Sequence, residues 1–463
     1  MSQTPGGGID KQRLIHRVLD RRIGQERPPG ATGVRRNSTS AQIPDEFCRF
    51  DRHPQYEKIV VPKVAAERFG IDNPFFKAHD GVADAVTRIG GRPFINYSSY
   101  NYLGLCGHPE VNRAAQQAIE RYGTSASASR LVAGERPVQR ELEQGIAELY
   151  GVEDCIVFVS GHATNVSTIG YLFGPRDLVL HDQLIHNSVL EGIKLSGSAR
   201  RAFAHNDTQA LDALLSELRG QFERVLIVVE GHYSMDGDLP DLPALVEIKQ
   251  RHKAFLMVDE AHSLGVLGRT GRGLHEQCGV AASAVDIWMG TLSKSLAGCG
   301  GYIAGERALV EHLKYAAPGF VYSVGISPVL AAASLQALRI MQREPERVAL
   351  LQARAQDFLR RARQAGLDTG HSQGFAVVPL LTGSSFEAVR LSNRLFEQGI
   401  NVQPIIHPAV EERAARLRFF ISATHTEAQI ATTIDLLTDL RSEATGIERQ
   451  PATTPTTHPN DST

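Results

Sequence analysis

The sequence predicts an α/β fold, with a large domain built on a mostly parallel sheet and a smaller C-terminal α+β domain. Short apolar runs that resemble buried strands alternate with longer amphipathic stretches, which is typical of a parallel sheet covered by helices. This alternation ends near Pro328, where two long helical stretches lead into a few short strands. The chain has 463 residues, of which 42% are hydrophobic and 22% are charged, so it can bury a large core.

The individual elements follow from these patterns. Six short, mainly apolar runs resemble buried strands: Cys155–Val159, Leu178–Leu180, Arg224–Val229, Ala254–Val258, Asp286–Met289 and Gly301–Ala304. Amphipathic helices are expected among them, including Pro109–Tyr122, Val138–Tyr150 and Leu242–Arg251. The small domain is predicted to contain the helices Pro328–Glu344 and Glu346–Ala365 and the strands Phe375–Leu381, Asn401–Gln403 and Leu417–Ile421.

The chain is expected to divide into five segments. These are a flexible basic arm over residues 1–45, an N-terminal segment over 46–105, a large domain over 106–327, a small domain over 328–445 and a disordered tail over 446–463. Residues 1–40 carry eight basic and three acidic side chains, a net charge of +5, and their stretch Ile9–Ile23 has apolar residues at helical spacing. The arm is either an idle, solvated segment or a helix that docks on a partner protein. Acidic residues in the arm disfavour a transit peptide.

Charge and cysteine content exclude several classes of protein. The chain has 49 basic and 51 acidic residues, and this balance argues against a nucleic-acid partner. Its five cysteines include no CxxC pair, so we expect neither a disulfide framework nor a metal site, and reduced thiols favour a cytoplasmic location. The longest apolar runs have five residues, whereas a membrane span needs about 20. We therefore expect no transmembrane segment, and the N-terminus lacks the apolar core of a signal peptide.

An aspartate and a histidine follow the predicted strand 254–258 directly. The stretch Val258–Gly265 reads Val-Asp-Glu-Ala-His-Ser-Leu-Gly, and ligands of open α/β sheets bind at the carboxyl ends of such strands. Asp259 could therefore be buried and directed at a cationic group of a ligand, with His262 beside it. The alternative is that Asp259 only caps the next helix.

A single lysine stands among hydroxyls and glycines after the predicted strand 286–289. Residues 290–301 read Gly-Thr-Leu-Ser-Lys-Ser-Leu-Ala-Gly-Cys-Gly-Gly, in which Thr291, Ser293 and Ser295 could bind an anion and Lys294 could act as a Schiff-base amine. The alternative for Lys294 is a solvated surface lysine.

Pyridoxal 5'-phosphate (PLP) accounts for both stretches at once. Lys294 would hold the cofactor covalently, while Asp259 would keep the pyridine nitrogen protonated. A third stretch, Val157–Asn165, predicts a strand, a tight turn and a helix start, and helix N-termini suit phosphate groups.

From these motifs the chain resembles the α-oxoamine synthases, PLP-dependent enzymes of fold type I. The resemblance covers about residues 55–440. Its motifs follow the family order: Ser99–Leu105, Ser160–Asn165, His186–Ser188, Glu230–Gly237, Asp259 with His262, the Lys294 loop and Ala415–Arg418. It implies a seven-stranded, mostly parallel sheet in the large, PLP-binding domain. It also implies condensation of an amino acid of the serine, glycine or alanine class with an acyl thioester, followed by loss of carbon dioxide.

The resemblance also implies a role for each matching residue. Lys294, His186, Asp259 and His262 would be catalytic. Cofactor contacts would come from these four residues and from Gly161, His162, Ser234, Thr291, Ser293 and Ser323. Arg418 would grip the amino-acid carboxylate, with Tyr100 and Asn101 also at the substrate; a strand-surface arginine is the alternative for Arg418. The family builds its sites at a homodimer interface, so Ser323 would serve the partner's site.

Details within the motifs lean toward serine palmitoyltransferase. Tyr100 stands where the 8-amino-7-oxononanoate and 5-aminolevulinate synthases usually carry Asn, and Ser293 stands where they prefer Gly. The chain equally resembles the α-oxoamine synthase modules that are attached to polyketide synthases. These modules use acyl chains bound to a carrier protein. Two positions depart from the family: Val324 replaces a phosphate-binding Thr, and Gln139 replaces a frequent His.

Several functions remain open from the sequence. The alternatives to a serine palmitoyltransferase-like activity are an 8-amino-7-oxononanoate synthase, a glycine C-acetyltransferase and, further away, an aminotransferase of the same fold. A non-catalytic subunit of a heteromeric synthase would lack the lysine, whereas this chain has Lys294. The acyl donor could be coenzyme A or an acyl carrier protein, and the basic arm could dock the latter.

Overall fold

A computed structural model describes residues 43–68, 70 and 72–445 of the chain. Contacts divide the chain into two units, with the boundary between Ala65 and Ala66. The described part of the first unit contains two short 3-10 turns, Asp45–Phe47 and Phe50–Arg52, and the start of helix α1. The stretch Ile9–Ile23 and the tail 446–463 lie outside the described residues. The predicted boundaries after residues 105 and 327 stay predictions.

Strands and helices alternate along the chain between Asp154 and Thr291. The strands are β1 His79–Asp80, β2 Val86–Ile89, β3 Arg92–Asn96, β4 Asp154–Phe158, β5 Leu178–Asp182, β6 Ala199–Phe203, β7 Val225–Glu230, β8 Phe255–Asp259, β9 Ile287–Thr291, β10 Gly301–Gly305, β11 Val377–Leu381, β12 Ile400–Asn401, β13 Gln403–Ile405 and β14 Arg416–Phe420. The helices are α1 Pro54–Arg68, α2 Pro109–Tyr122, α3 Pro137–Tyr150, α4 Gly161–Leu172, α5 Asn187–Ser196, α6 Thr208–Leu218, α7 Leu242–His252, α8 Leu274–Cys278, α9 Arg307–Ala316, α10 Pro318–Val321, α11 Pro328–Arg343, α12 Glu346–Gln364, α13 Ser385–Glu397 and α14 Glu427–Thr445.

Seven strands form the central sheet, in the order β4-β10-β9-β8-β7-β5-β6. Only β10 runs antiparallel to its neighbours β4 and β9, and the other neighbouring strands are parallel. Every residue of β4, β5, β7 and β10 is buried, as expected for strands covered by helices on both faces. The seven-stranded sheet confirms the predicted fold class.

A smaller α+β part follows the long helices α11 and α12. It contains the three-stranded sheet β11-β14-β13 and a core of its own around Tyr97, Phe358 and Phe419. The short strand β12 pairs in parallel with β3. This pairing joins the segment before the large sheet to the small domain. The smaller domain of the prediction is thus confirmed.

Most of the predicted elements agree with the structure to within about two residues at their ends. The single strand predicted over Asn401–Gln403 is wrong, because the chain there forms two short strands in different sheets, with β12 paired to β3 and β13 paired to β14. Within the large sheet, the sequence did not indicate the edge strand β6, Ala199–Phe203. Its Arg200 and Arg201 are exposed, so it lacks the apolar run that marks the buried strands. Within the described part of the chain, no helix is long and apolar enough to cross a membrane.

Candidate active site

The polar motifs meet at one edge of the central sheet because its parallel strands all end there. The carboxyl ends of β4, β5, β7, β8 and β9 carry the loops that surround a cleft, which is where open α/β sheets bind their ligands. Its walls combine residues from each of these strand ends: Gly161, His162, Asn165, His186, Ser188, Glu230, Asp259, Ala261, His262, Met289, Thr291 and Lys294.

Asp259 is the last residue of β8 and is 4% exposed. Its Oδ1 accepts the backbone N–H of Ala261 at 3.0 Å. Its Oδ2 accepts the amide Nδ2 of Asn165 at 2.9 Å. Two neutral donors thus fix a buried carboxylate without neutralising its charge, which leaves it suited to pair with a cationic ligand group.

Lys294 follows β9 and reaches into the same cleft, with Nζ 5.4 Å from the centre of the Tyr100 ring. Burial lowers the pKa of its ammonium group to about 8, although Asp259 and Glu230 act in the opposite direction. The charge of Arg418 adds to the lowering. A lysine with this pKa has a substantial neutral fraction near neutral pH, as a nucleophilic or basic amine requires.

The first turn of α4 forms a second wall of the cleft. Ser160 caps this helix by accepting the N–H of Ala163, so the N–H groups of Gly161 and His162 have no partner within the helix. A Cβ on Gly161 would lie 3.0 Å from the Oγ1 of Thr291, so a glycine keeps the helix start and the end of β9 in close approach. This arrangement of N–H groups and a hydroxyl suits a phosphate.

A chain of hydrogen bonds connects Asp259 to His186. The Nδ2 of Asn165 also lies 2.9 Å from the Oγ of Ser188, whose hydroxyl lies 2.7 Å from the Nδ1 of His186. His186 is the N-cap of α5, and its ring is exposed on the open side of the cleft. The hydrogen bond between Nδ1 of His186 and Ser188 therefore orients the imidazole, while the face of the ring stays accessible to a ligand.

His262 is buried, and its Nδ1 lies 2.7 Å from the hydroxyl of Tyr102. Burial lowers the pKa of this imidazole well below its usual value, and the positive charges of Lys294 and Arg418 contribute to the shift. Burial also raises the pKa of Tyr102, so its hydroxyl keeps its proton. A neutral ring carries one N–H, and its other nitrogen accepts.

The loop after β7 carries Ser234, which is held from two sides. Its backbone N–H donates to the Oε2 of Glu230 at 2.9 Å, and its carbonyl accepts the Nη1 of Arg418 at 3.0 Å. The Nε of Arg418 is buried without a hydrogen-bond partner, so the guanidinium keeps donor capacity for another ligand. The guanidinium of Arg416 is engaged instead in an ion pair, because its Nη1 lies 2.7 Å from the Oδ1 of Asp236.

Two of the predicted residues, Asn101 and Ser295, make other contacts than the predictions implied. The Nδ2 of Asn101 donates to the carbonyl of Ala83 and its Oδ1 accepts the N–H of Cys106, so this buried amide braces a turn and is not a cleft residue. Ser295 was expected to bind an anion, but its hydroxyl donates to the carbonyl of Leu264 at 2.7 Å.

Ser293 and Ser323 occupy more open positions. Ser293 is exposed, and its Oγ lies 3.2 Å from the Oγ1 of Thr291, beside the proposed phosphate region. Ser323 lies in the loop after α10, where its hydroxyl donates to the carbonyl of Val324, and it does not line the cleft. A role for Ser323 in this site would require a second subunit, as the resemblance implies.

Asn165, Ser188, Tyr102 and Glu230 lie in or against the cleft, although the sequence analysis assigned no role to any of them. Glu230 was the most accessible to sequence reasoning, because it ends a buried strand just as Asp259 does. Burial, followed by the charge of Asp259, raises the pKa of Glu230 to about 8.

The residues present fit PLP. A buried carboxylate, a lysine with a lowered pKa, a helix N-terminus and an accessible imidazole face surround one cleft, and the close approach at Gly161 leaves the helix N–H groups directed into it. Asp259 would pair with the pyridine nitrogen, Lys294 would bind the cofactor covalently, and Gly161, His162 and Thr291 would hold its phosphate.

Comparisons with known proteins agree with this geometry. Residues 92–437 match the family described as aminotransferase class I and II. A putative 8-amino-7-oxononanoate synthase of Gloeobacter violaceus is 41% identical over 370 residues, which cover 79% of this chain and 93% of the relative. The 8-amino-7-oxononanoate synthase of Geobacter sulfurreducens is 44% identical over 343 residues, covering 73% of this chain and 87% of the relative.

A solved structure extends the likeness to three dimensions. The high-resolution structure of serine palmitoyltransferase, SPT, with a PLP internal aldimine superposes with a TM-score of 0.80 and 27% identity, covering 85% of this chain and 99% of that one. Fold and cleft together define a PLP-dependent transferase of fold type I. Within that class, the chain belongs to the aminotransferase class I and II family and is an enzyme of the α-oxoamine synthase type.

Proposed function

We propose that this enzyme condenses an amino acid of the serine, glycine or alanine class with an acyl thioester. The α-carbon of the amino acid forms a bond to the acyl carbon, the thiol leaves, and the carboxyl group leaves as carbon dioxide, which yields an α-amino ketone. The single observation that carries the proposal is the placement of Lys294 and Asp259 in one cleft with the charge of Arg418 close by. Bound PLP supplies the electron sink for the charge that develops on the α-carbon.

Lys294 is the group we propose for proton transfer at the α-carbon. Its lowered pKa of about 8 lets it accept a proton near neutral pH and return it later. Asp259 supports this step, because its carboxylate is held by Asn165 and Ala261 and keeps a ring nitrogen protonated. His186 orients the ligand from the open side of the cleft.

Arg418 is the group we propose for the amino-acid carboxylate. Its Nη1 is occupied by the carbonyl of Ser234, whereas its Nε is buried and unpartnered. A guanidinium with free donors is well matched to a carboxylate. The same contact would hold Ser234 near the cofactor's phenolic oxygen, beside His262. If Tyr102 donates its hydroxyl proton to Nδ1 of His262, then Nε2 of that ring carries the remaining proton and can donate to this oxygen.

The acyl chain distinguishes the alternatives within the family. The sequence motifs favour a serine palmitoyltransferase-like activity. However, two relatives that are 41% and 44% identical are named, respectively, a putative 8-amino-7-oxononanoate synthase and an 8-amino-7-oxononanoate synthase. That activity, which uses an acyl chain derived from a dicarboxylate, is therefore a specific second candidate. Both candidates use the same condensation. An aminotransferase would instead convert the amino acid to a keto acid without consuming a thioester.

The test is release of free thiol from acyl thioesters in the presence of amino acids. The purified protein, loaded with PLP, is incubated with serine, glycine or alanine and with acyl-coenzyme A of short, long or dicarboxylic chain, and the products are identified by mass spectrometry. We expect thiol release that depends on both substrates and an α-amino ketone. Keto-acid formation with no thiol release would contradict the proposal. Lys294→Ala is the negative control, and Lys194→Ala, which changes an exposed lysine on α5, is the matched control.

We further propose that the enzyme is a cytoplasmic homodimer with shared sites. The five cysteines Cys48, Cys106, Cys155, Cys278 and Cys299 are unpaired, as in reducing compartments. The side chain next to Ser323, Tyr322, is 87% exposed, and Val324 is exposed as well. Apolar side chains left open around a residue with a predicted role in the partner's site support an interface there.

Carrier-protein docking through the basic arm is a finer proposal. The arm, residues 1–40, carries a net charge of +5 on an otherwise balanced chain, and a basic helix would attract an acidic carrier in a salt-dependent manner. Deletion of residues 1–40 should then reduce activity with carrier-bound acyl substrate, more strongly at low salt, and leave activity with acyl-coenzyme A unchanged. Equal behaviour of both substrates would identify the arm as an idle tail.

A further inference from the structure

A buried histidine outside the cleft bridges two of the loops that form it. His205 follows β6, and its side chain is 17% exposed. Its Nδ1 lies 2.9 Å from the Oδ1 of Asp182, and its Nε2 lies 2.9 Å from the Oδ2 of Asp238. Both ring nitrogens therefore face carboxylate oxygens.

This geometry fixes the charge of the ring. A neutral imidazole carries one N–H, so one of the two carboxylates would face an unprotonated nitrogen at hydrogen-bonding distance. A doubly protonated ring donates to both. Burial disfavours the charged ring, but the hydrogen bonds to Asp182 and Asp238 outweigh this effect and raise the pKa of His205 to about 10.

Among the described residues, two carboxylates and one aromatic ring contact the ring of His205. Asp182 and Asp238 face its two nitrogens, and the ring of Tyr233 packs edge-on at 4.5 Å between centroids. The Nδ1 of His181 contacts only the backbone carbonyl of Asp182, at 2.8 Å. The neighbouring Asn206 donates its backbone N–H to Asp182 and its Nδ2 to Asp238, so it reinforces the same bridge.

Each carboxylate belongs to a loop with a proposed cofactor contact. Asp182 ends β5, and its Oδ1 also accepts the N–H of Leu184, which shapes the turn leading to His186. Asp238 closes the turn that contains Ser234, since its carbonyl accepts the N–H of Tyr233 at 3.0 Å.

The other side of the Ser234 turn is held by the small sheet. Arg418 donates to the carbonyl of Ser234, and Arg416 donates to the carbonyl of Met235 and to Asp236. The turn is thus fixed between two arginines on β14 and one histidine after β6.

We propose that His205 is a positioning residue whose doubly protonated ring locks the His186 loop and the Ser234 turn at the spacing that PLP requires. It does not exchange protons with substrate, because both of its nitrogens are engaged. The inference rests on the proposed function, since it assigns cofactor contacts to the two loops that His205 joins.

The first test measures PLP binding by the His205→Gln variant. Gln carries both of its N–H donors on one nitrogen and has no charge, so it cannot replace a ring that donates from two separate nitrogens. We expect about tenfold or greater loss of PLP affinity, and a weaker visible circular-dichroism band per bound cofactor at saturation, because the ring is held less firmly. His252→Gln is the matched control: His252 ends α7, and its Nε2 pairs with Asp212 at 2.7 Å in a similarly buried setting away from the cleft.

Wild-type affinity and an unchanged dichroism band in His205→Gln would overturn the inference. If the wild-type protein itself fails to bind PLP, the proposed function fails instead, so the two outcomes are distinguishable. A second measurement needs no variant: nitrogen NMR of the histidine rings in the PLP-free protein at about pH 8 should show both nitrogens of His205 protonated. A neutral His205 ring at that pH would also overturn the inference, even if the variant does not fold.

Discussion

Two carboxyl side chains, Glu230 and Asp259, stand side by side because β7 and β8 pair in register at their last residues. Asp259 has two hydrogen-bond donors, whereas the Oε1 of Glu230 is buried without a partner. Their environments therefore differ: Asp259 is the carboxyl group that we propose pairs with the ring nitrogen of PLP, whereas burial raises the pKa of Glu230 to about 8.

Asp259→Asn tests the charge of the first carboxyl group. The amide can still hydrogen-bond, so we expect PLP to remain bound, but it cannot keep the ring nitrogen protonated. Exchange of the substrate α-proton with deuterium, followed by NMR, should fall by roughly 10²–10³-fold. Asp286→Asn, which alters an aspartate paired with Lys249 at the opposite end of the strands, is the control. Near-wild-type exchange in Asp259→Asn would refute the assignment.

Glu230→Gln tests the proton on the second carboxyl group. Burial raises the pKa of Glu230 from 4.5 to about 8, so between these values the folded protein binds a proton that the unfolded chain has lost. Stability should therefore fall as pH rises through this window, and Gln should remove about 1 kcal/mol per pH unit of that slope. Burial also raises the pKa of Glu260 to about 8. Glu260 therefore contributes to the pH dependence of stability in both the wild type and Glu230→Gln.

Urea denaturation of the PLP-free protein at several pH values between about 5 and 8 measures this slope. Glu148→Gln, at an exposed position of α3, is the control and should leave the slope unchanged. An identical slope in wild type and Glu230→Gln would show that Glu230 ionises normally in the folded protein.

At the scale of elements, the helix start at α4 depends on small residues in the strand behind it. A Cβ on Gly301 of β10 would lie 2.4 Å from the Oγ1 of Thr164 and 2.7 Å from the Cα of Gly161. Because one of these atoms is backbone, the helix start must move to accommodate a methyl group. The end of β10 thus sets the position of the N–H groups proposed to bind phosphate.

Gly301→Ala should destabilise the protein by about 1–3 kcal/mol and weaken PLP binding as the helix start shifts. Thermal unfolding and a PLP titration measure the two effects. The control is Gly174→Ala, because a Cβ there meets no atom within 4 Å. Unchanged melting temperature and affinity in Gly301→Ala would mean that the close approach at α4 is not required.

The sequence predicted most elements of the large sheet because its strands are short apolar runs with motifs at their ends. The strand β6 escaped prediction, since Arg200 and Arg201 give an edge strand the appearance of a surface loop. The hydrogen-bond partners of side chains could not be predicted from the sequence either. Ser295 is adjacent to Lys294, but its hydroxyl donates to the backbone carbonyl of Leu264, a residue distant in the sequence. His205 gave no signal, because its partners Asp182 and Asp238 lie 23 and 33 residues away along the chain.

At the scale of the whole molecule, the proposed shared sites require a dimer. Light scattering should give a mass of about twice 50.5 kDa at concentrations where the enzyme is active. Ser323 and its exposed neighbour Tyr322 should become protected from hydrogen exchange or chemical modification in the dimer. An active monomer would contradict this prediction and would remove Ser323 from the site.

Decarboxylative condensation differs from the alternative reactions in the fate of the carboxyl carbon of the amino acid, which can be followed with an isotope label. The PLP-loaded enzyme is given an amino acid labelled with ¹³C at the carboxyl carbon together with an acyl thioester that supports thiol release. We expect labelled carbon dioxide and free thiol in equal amounts, and an α-amino ketone without the label. Label retained in a keto acid, or in an amide of the intact amino acid, would contradict it.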